Sequence, residues 1–215
     1  MSVVQPAPSN KTERPMHSVE IRFDPALVEE AVFLELKRRR TCGDRRTAEA
    51  FYAQRSSLYG AGCAAEEREA RFGQLAARYF RELGFAELLT KRFEECPLVA
   101  AHVQTARVQR VWSRKEECVE LYVRRPAPPR HAAGSIDAST TLLLGLQAAR
   151  YLNRDELVAF LRHELMHISD MLDPSFAYEP HPEFGGECET EQDLIRERFR
   201  LLWNVWVAGR MRRNA

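Results

Sequence analysis

A chain of 215 residues, 45% of them hydrophobic, is long enough to bury a core, and its net charge of +1 creates no overall field that favours nucleic acid or a membrane surface. No segment approaches the ~18 consecutive apolar residues of a membrane-spanning helix, and the N-terminus lacks the apolar run of a signal peptide. We therefore expect a cytoplasmic protein with no membrane partner and no nucleic-acid partner.

The five cysteines argue against a disulfide framework. Their number is odd, and no two have Cys-x-x-Cys spacing, which also argues against a cysteine zinc site. Reduced and mostly buried thiols are the expected state, and they indicate a reducing compartment. The residues are Cys42, Cys63, Cys96, Cys118 and Cys188.

The first 95 residues have mostly helical patterning. Residues 1–18 are polar, contain three prolines and are predicted to be a flexible tail. Helices are predicted to begin at Pro25, with Asp24 as N-cap, and near Arg46. A third predicted helix ends at Gly84, which has the character of a C-cap.

The chain changes character after residue 96. The stretches VQTARVQRVW and CVELYVRR alternate and are rich in Val, Tyr and Trp, and STTLLLGLQ is a short apolar run, so three strands are predicted. A long helix is predicted to begin at Asn153, because Glu156 stands three residues later as in a capping box. Asp173-Pro174 should end it. A last helix is predicted over about 187–210.

These elements indicate an α+β fold. A single domain is expected over 19–215, in which a helical part, 19–95, packs on a small sheet contained in 96–215. The N-terminal helices belong to the same body or act as a lid or inhibitory segment, and the sequence leaves both alternatives open.

The long predicted helix contains FLRHELMHISDMLD, with two histidines four residues apart. Residues i and i+4 lie on one face of a helix, so His163 and His167 can direct a ring nitrogen each at one point. Two such nitrogens suit the tetrahedral site of zinc. Glu164 flanks that point, where a carboxylate can take a proton from a zinc-bound water as the water attacks a carbonyl carbon.

HELMH on a helix after a short sheet resembles the zincin superfamily of zinc metallopeptidases. The resemblance covers about residues 103–206. It implies a Zn²⁺ cofactor held by His163 and His167, Glu164 as general base, and a peptide or protein substrate that adds a strand to the edge of the sheet. The first 95 residues resemble no family that we can name.

A catalytic zinc needs a third protein ligand, and the last predicted helix offers one in Glu191. The apolar side chains Leu194, Ile195, Leu202, Val205 and Trp206 fall on one face of that helix. Glu191 falls at the centre of this face, where a carboxylate needs a metal or an ion-pair partner. The alternative explanation is an ion pair with Arg198.

Three other residues remain candidates for the third ligand. Glu187 follows His167 by twenty residues, the separation that the thermolysin-like gluzincins show, although its position at the helix start also suits a cap. Asp173 follows His167 by six residues, where the metzincin branch places its third ligand. His181 lies in a proline-rich loop and is a more distant alternative.

Two further residues are assigned supporting roles. Asp170 lies three residues after His167 on the histidine face, so its carboxylate can accept the free ring N–H of a ligand histidine and fix its tautomer. Solvation near the helix end explains Asp170 equally well. Tyr178 or His181 could stabilise an oxyanion.

The expected function is zinc-dependent hydrolysis by a small metallopeptidase. The alternative is a catalytically silent zincin-like domain that binds a partner as an adaptor. The presence of Glu164 favours the hydrolase, because a silent domain needs no base at that position. The sequence leaves the oligomeric state open.

Overall fold

The computed structural model describes residues 19–60, 62, 64–123, 140–179 and 188–213. Its strands are β1 (Glu20–Phe23), β2 (Thr105–Arg110), β3 (Cys118–Val123) and β4 (Thr140–Leu146). Its α-helices are α1 (Pro25–Thr41), α2 (Arg46–Tyr59), α3 (Ala65–Glu82), α4 (Phe85–Glu94), α5 (Pro97–His102), α6 (Arg154–Leu172) and α7 (Glu189–Arg213). Short 3-10 helices cover Arg114–Glu116, Ala148–Leu152 and Pro174–Phe176. The predicted α+β class is confirmed, with many helices around one small sheet.

The four strands form one mixed sheet in the order β1-β2-β4-β3. Strands β1, β2 and β4 run parallel, with Glu20 opposite Thr105 and Thr105 opposite Thr141. Strand β3 is antiparallel to β4 and places Cys118 opposite Gly145. Both β1 and β3 are therefore edge strands of the described sheet.

One face of the sheet is apolar and covered by helices. The side chains on this face are Ile21, Phe23, Ala106, Val108, Val119, Leu121, Leu142 and Leu144, and all belong to or pack against the core. On the opposite face, Arg107 is exposed, and an exposed ion pair joins Arg22 to Glu20. This alternation is the pattern of a sheet with one solvated face.

Helix α6 lies under the covered face and contacts β3, α4, α5 and α7. It begins where predicted, because the Asn153 side chain accepts a hydrogen bond from the Glu156 backbone N–H and donates one to the Glu156 carboxylate. Leu157, Leu161 and Leu165 are fully buried along one side of the helix. The helix ends at Leu172, before the Asp173-Pro174 pair, as predicted.

Two features differ from the prediction. The strand β1 was not predicted, since four residues are too few to establish an alternating pattern. Helix α5 lies beyond residue 95, where no helix was predicted, whereas α4 falls within the region predicted only as helical in general. Gly84, at φ 75°, follows the end of α3 in the left-handed conformation expected of a glycine at a helix C-terminus, and it also precedes α4 as its N-cap.

The four described cysteines are free thiols: Cys42 and Cys188 are exposed, and Cys96 and Cys118 are half-buried. The expectation of mostly buried thiols is wrong for these four. In the parts of the chain that the structure describes, no helix combines the length and apolar character needed to cross a lipid bilayer. The predicted tail, residues 1–18, lies outside the described residues.

Candidate metal centre

The two histidines of HELMH lie one turn apart on α6 and face each other. The ring centroids of His163 and His167 are 4.8 Å apart, with the ring planes at 73°. A zinc ion bound at ~2.0–2.1 Å by one nitrogen of each ring requires neighbouring rings of this kind. The i, i+4 spacing thus brings the two imidazoles together as the helix geometry requires.

His167 carries a polar atom that has no partner. Its side chain is 9% exposed, and its Nε2 is buried and makes no hydrogen bond in the described structure. An unsatisfied buried nitrogen costs about 1–3 kcal/mol, so most such atoms in proteins have a partner. An imidazole nitrogen with a free lone pair fits a metal ion, and the donor set of His163 and His167 therefore fits zinc.

The pKa of His167 is lowered. Burial is the main cause, since it disfavours the charged ring, and repulsion from His163 adds to it. The carboxylates of Glu164 and Asp170 and a hydrogen bond with Asn204 act in the opposite direction. The neutral ring that results is the form that binds a metal.

Glu164 lies beside the histidine pair and is hydrogen-bonded to the ring of His163. The Nδ1 of His163 is 3.0 Å from Glu164 Oε1. Because a carboxylate can only accept, Nδ1 is the donor, and in the neutral ring Nε2 then carries the lone pair. Both side chains are partly exposed, at 28% and 26%, so solvent reaches this side of the pair.

Asp170 joins α6 to α7. Its Oδ2 accepts a hydrogen bond of 2.8 Å from Trp203 Nε1 and a second, charged one from Arg210. The Asp170 side chain is only 6% exposed. These two donors belong to α7, so the carboxylate holds that helix against α6. The predicted bond to a histidine ring is not among its described hydrogen bonds.

Trp203 forms an aromatic wall on one side of His167. The two ring centroids are 4.5 Å apart in an edge-to-face arrangement at 84°. Phe176 stacks on the indole at 5.5 Å, and Tyr178 lies 5.7 Å from it. Tyr178, predicted as an oxyanion donor, thus packs on the tryptophan that contacts the histidine. The wall excludes water from the inner side of the pair, while the side near Glu164 stays open.

Trp203 and Arg210 are not among the site residues predicted from the sequence. A periodic signal for them exists: Phe199, Trp203, Val207 and Arg210 recur at helical spacing. That signal was obscured by the denser apolar residues elsewhere on the same helix. Trp203 and Arg210 contact α6 through His167 and Asp170.

The face that had been predicted to be buried is exposed. Leu202 is 70% exposed, Val205 71% and Trp206 56%. Glu191 is itself exposed, in the first turn of α7. The prediction that Glu191 lies in a buried apolar face is therefore wrong, because α7 contacts α6 through its other side.

No third ligand joins the histidine pair in the described part of the chain. There, no cluster of three or more His, Cys, Asp or Glu side chains is arranged to hold a metal ion. Asp173 is occupied as a cap, since its Oδ1 accepts from the backbone N–H and the hydroxyl of Ser175. These hydrogen bonds lower the pKa of Asp173. Glu187 and His181 lie outside the described residues.

A cavity lies elsewhere in the fold. An apolar groove of about 550 Å³ is lined by β1, α1, α3 and α4, with Val19, Phe23 and Phe80 among its residues. No residue of α6 lines it, and its lining includes no titratable group except Arg81. It offers no group for acid–base or metal chemistry, so the histidine pair remains the candidate site.

Comparison of the chain with protein-family models, with curated proteins and with solved structures finds no match.

Proposed function

We propose that this protein is a zinc-dependent hydrolase, a small zincin-like metallopeptidase that cleaves a peptide or protein substrate. The buried Nε2 of His167, beside the ring of His163 and without a partner, is the observation that carries the proposal. A metal ligand is the role that best accounts for the free-energy cost of such an atom. The adjoining Glu164 supplies a carboxylate on the solvent-accessible side.

His163 and His167 would hold the zinc. A bound Zn²⁺ supplies a Lewis acid and lowers the pKa of a coordinated water towards ~7. Glu164 would accept a proton from the attacking water on its carboxylate and pass it to the leaving amine. Its bond to His163 Nδ1 orients the ring, which leaves Nε2 as the ligand atom.

The edge strand β3 supports a peptide as the substrate class. On its outer side, β3 has no partner strand within the described residues. Helix α6 contacts β3, so the histidine helix and this edge belong to one region. An extended peptide that adds to the edge through backbone hydrogen bonds would lie near Glu164.

Zinc content is the first test of the proposal. We expect about one zinc per chain in the purified protein, measured by elemental mass spectrometry, and its loss in His163→Ala. Zinc absent from the wild type even after zinc is supplied would make HELMH a helix segment without a metal, and the hydrolase proposal would be abandoned.

The second test separates binding from catalysis. We predict that Glu164→Gln retains zinc but lowers peptide hydrolysis at least 100-fold, because general-base catalysis contributes about 10²–10⁴. Glutamine keeps an acceptor for His163 Nδ1, so it is a matched replacement. Cleavage of a mixed peptide library, followed by mass spectrometry, is the assay, and undiminished cleavage by the variant would exclude Glu164 as the base.

The alternative is a catalytically silent zincin-like adaptor domain. The absence of a third ligand among the described residues favours it, since catalytic zinc is usually held by three protein ligands. Zinc binding by the wild type with no cleavage of any peptide in the library, and no effect of Glu164→Gln, would select this alternative.

A further inference from the structure

Strand β1 is an edge of the described sheet, and it presents unpaired backbone groups on its outer side. The N–H of Glu20 donates to the chain just before β2, and that of Asp24 donates to Val108 of β2. Because alternate residues of a strand direct their backbone groups to opposite sides, Ile21 and Phe23 direct theirs outward. Neither makes a backbone hydrogen bond there within the described residues. The edge therefore offers a row of N–H and C=O groups at the spacing of a strand.

An apolar groove of about 550 Å³ lies beside this edge, on the covered face of the sheet. We call it the β1 groove; its lining includes Ile21 and Phe23 of β1 and Gly73 and Ala77 of α3. The small residues of α3 leave room, since a Cβ added at Gly73 would meet no atom within 4 Å. Ile21 and Phe23 are only half-buried, whereas Val108 on the central strand β2 is 1% exposed. Side chains of one more strand would complete the cover of this face.

Arg81 is the only charged residue among the described ones that line the β1 groove. Its Nε donates to the backbone oxygen of Ala77, 3.3 Å away on its own helix. The guanidinium makes no ion pair within the described residues, because the adjacent Glu82 is paired with Arg78 instead. A carboxylate brought into the groove therefore meets an unpaired cation, which forms stronger hydrogen bonds than a neutral donor does.

These three features together select an extended peptide as the occupant of the groove. A strand added to β1 pairs its backbone with the free groups of Ile21 and Phe23, and its alternate side chains point into the groove. A carboxylate among those inward side chains can bind Arg81. A fatty acid would fit the apolar lining and Arg81, but it has nothing that matches the row of backbone N–H and C=O groups.

We propose that β1 docks an extended segment of a partner protein as an added strand, whose inward side chains are apolar except for one carboxylate that binds Arg81. This site is separate from the proposed substrate edge, because β1 and β3 are opposite edges of the described sheet. No residue of α6 lines the groove. The partner is therefore bound there at a distance from the histidine pair.

Two capped peptides serve as probes, acetyl-Val-Thr-Val-Thr-Glu-amide and acetyl-Glu-Thr-Val-Thr-Val-amide, which place the carboxylate at either end of the strand. Nuclear magnetic resonance of the isotope-labelled full chain follows the titration. We expect one of the peptides to bind with a dissociation constant below about 1 mM and to shift the backbone N–H signals of Ile21 and Phe23. The same peptide with lysine in place of glutamate should bind about tenfold more weakly, because it brings a like charge to Arg81.

The pairing of the added strand is tested by Ile21→Pro. Proline removes the outward N–H of residue 21 but leaves the N–H groups that donate towards β2, and an edge strand tolerates it. We expect the dissociation constant of the peptide to rise about tenfold, since the ring also obstructs the approach of a second backbone. Ile21→Val keeps the N–H and is the matched control, with an affinity close to that of the wild type.

The charge of the groove is tested independently by Arg81→Glu. This variant should reverse the preference, so that the lysine peptide binds more tightly than the glutamate peptide. Arg71→Glu makes the same change at an exposed arginine of α3 that does not line the groove, and it should keep the preference of the wild type.

The proposal is overturned if neither glutamate peptide binds at about 1 mM, or if the shifts fall on β3 residues such as Tyr122. It is also overturned by an affinity that Ile21→Pro leaves unchanged, or by a charge preference that Arg81→Glu leaves unchanged. Palmitate binding without peptide binding would make a fatty acid the occupant. A dimer in sedimentation equilibrium that Ile21→Pro dissociates would make the occupant a second copy of this chain.

Discussion

His167 is the one buried imidazole of the candidate site. Its ring lies beside His163 of α6 and Trp203 of α7. Burial lowers its pKa, so the ring is neutral at pH 7 and one of its two nitrogens carries a lone pair. Trp203 contacts its face without satisfying Nε2. The residue is thus held neutral, with an unpaired Nε2, at a cost in stability.

A further prediction concerns the residues that are candidates for the third zinc ligand. Glu191→Ala and Asp173→Ala are each expected to change the zinc dissociation constant by less than about tenfold, because Glu191 is exposed on the side of α7 that faces away from α6, and the Asp173 carboxylate is engaged by Ser175. Competition with a chromogenic chelator gives the two constants, with Glu187→Ala measured alongside. A larger rise in one variant would assign the third ligand to that residue, and such a rise for Asp173→Ala would favour a metzincin-like site.

The site residues that the sequence predicts are those that lie together on a single helix. His163, Glu164 and His167 share α6, so the helical repeat alone sets their relation. Which face of α7 meets α6 depends on how the two helices pack, and sequence periodicity does not determine that. The densest apolar face of α7 is predicted to be buried, whereas Trp203 and Arg210 make the contacts with α6.

A pH-dependent contribution to stability is expected from Glu35, whose side chain is 3% exposed. Burial opposes its ionisation, but hydrogen bonds from Arg38 and Arg39 outweigh burial and lower its pKa below the ordinary 4.5. A lowered pKa means that the stabilisation is present above pH 4.5 and is lost as the pH falls through the folded-state pKa.

Replacement of Glu35 tests the direction of this pH dependence of stability. Glu35→Gln should lower the free energy of unfolding by about 1–2 kcal/mol at pH 7, and the deficit relative to wild type should shrink as the pH is lowered towards 3. Urea denaturation followed by circular dichroism at several pH values provides the measurement. A deficit that is constant with pH would contradict the role of the charge.

At the scale of elements, a buried ion pair ties β3 to the approach to α6. Glu117, immediately before β3, accepts hydrogen bonds from Arg150 and from the Gln147 backbone N–H. The two side chains are 1% and 13% exposed, and the Arg150 guanidinium lies 4.7 Å from the ring centre of Phe160 on α6. The pair therefore sets the position of the histidine helix relative to the sheet edge.

Removal of one member of the Glu117–Arg150 ion pair should lower the free energy of unfolding substantially. We predict that Arg150→Met lowers the free energy of unfolding by about 3 kcal/mol, because it leaves the Glu117 carboxylate buried and unpaired. Adding Glu117→Gln should recover part of that loss. A double-mutant cycle from urea denaturation measures the coupling, and additive effects of the two substitutions would show that the pair is energetically independent.

Elements with strong terminal signals were predicted closely. α1 begins at Pro25, where the Asp24 side chain accepts from the Ala26 N–H, and α6 begins at its capping box. β1 has no such signal and becomes a strand only because β2 is present to pair with it. β1 therefore depends on a tertiary contact, which a local sequence pattern does not reveal.

For the whole molecule, β1 and β2 unite the two halves of the chain. The division into 19–95 and 96–215 does not separate the sheet, because its first strand comes from the earlier part. The N-terminal helices α1 and α3 pack in the same core as β2 and β4. Metal binding at α6 should therefore stabilise the entire domain.

Thermal unfolding measures that coupling. Zinc at 100 times its dissociation constant should add about 2.7 kcal/mol to the stability of the wild type and raise its Tm by several degrees. His163→Ala should show no such rise. A Tm that does not respond to zinc in the wild type, despite stoichiometric binding, would mean that the unfolded chain binds the metal equally well.

The strand order also has a consequence for synthesis on the ribosome. β1 cannot pair until the chain has been synthesised past Arg110, because its partner β2 ends there. β3 is synthesised before β4, and β4 then has to insert between β2 and β3. Until TTLLLGL has been translated, β2 and β3 both present open edges, which are the template for aggregation. Late pairings between distant segments are slow, so we expect the nascent chain to depend on chaperone protection until β4 completes the sheet.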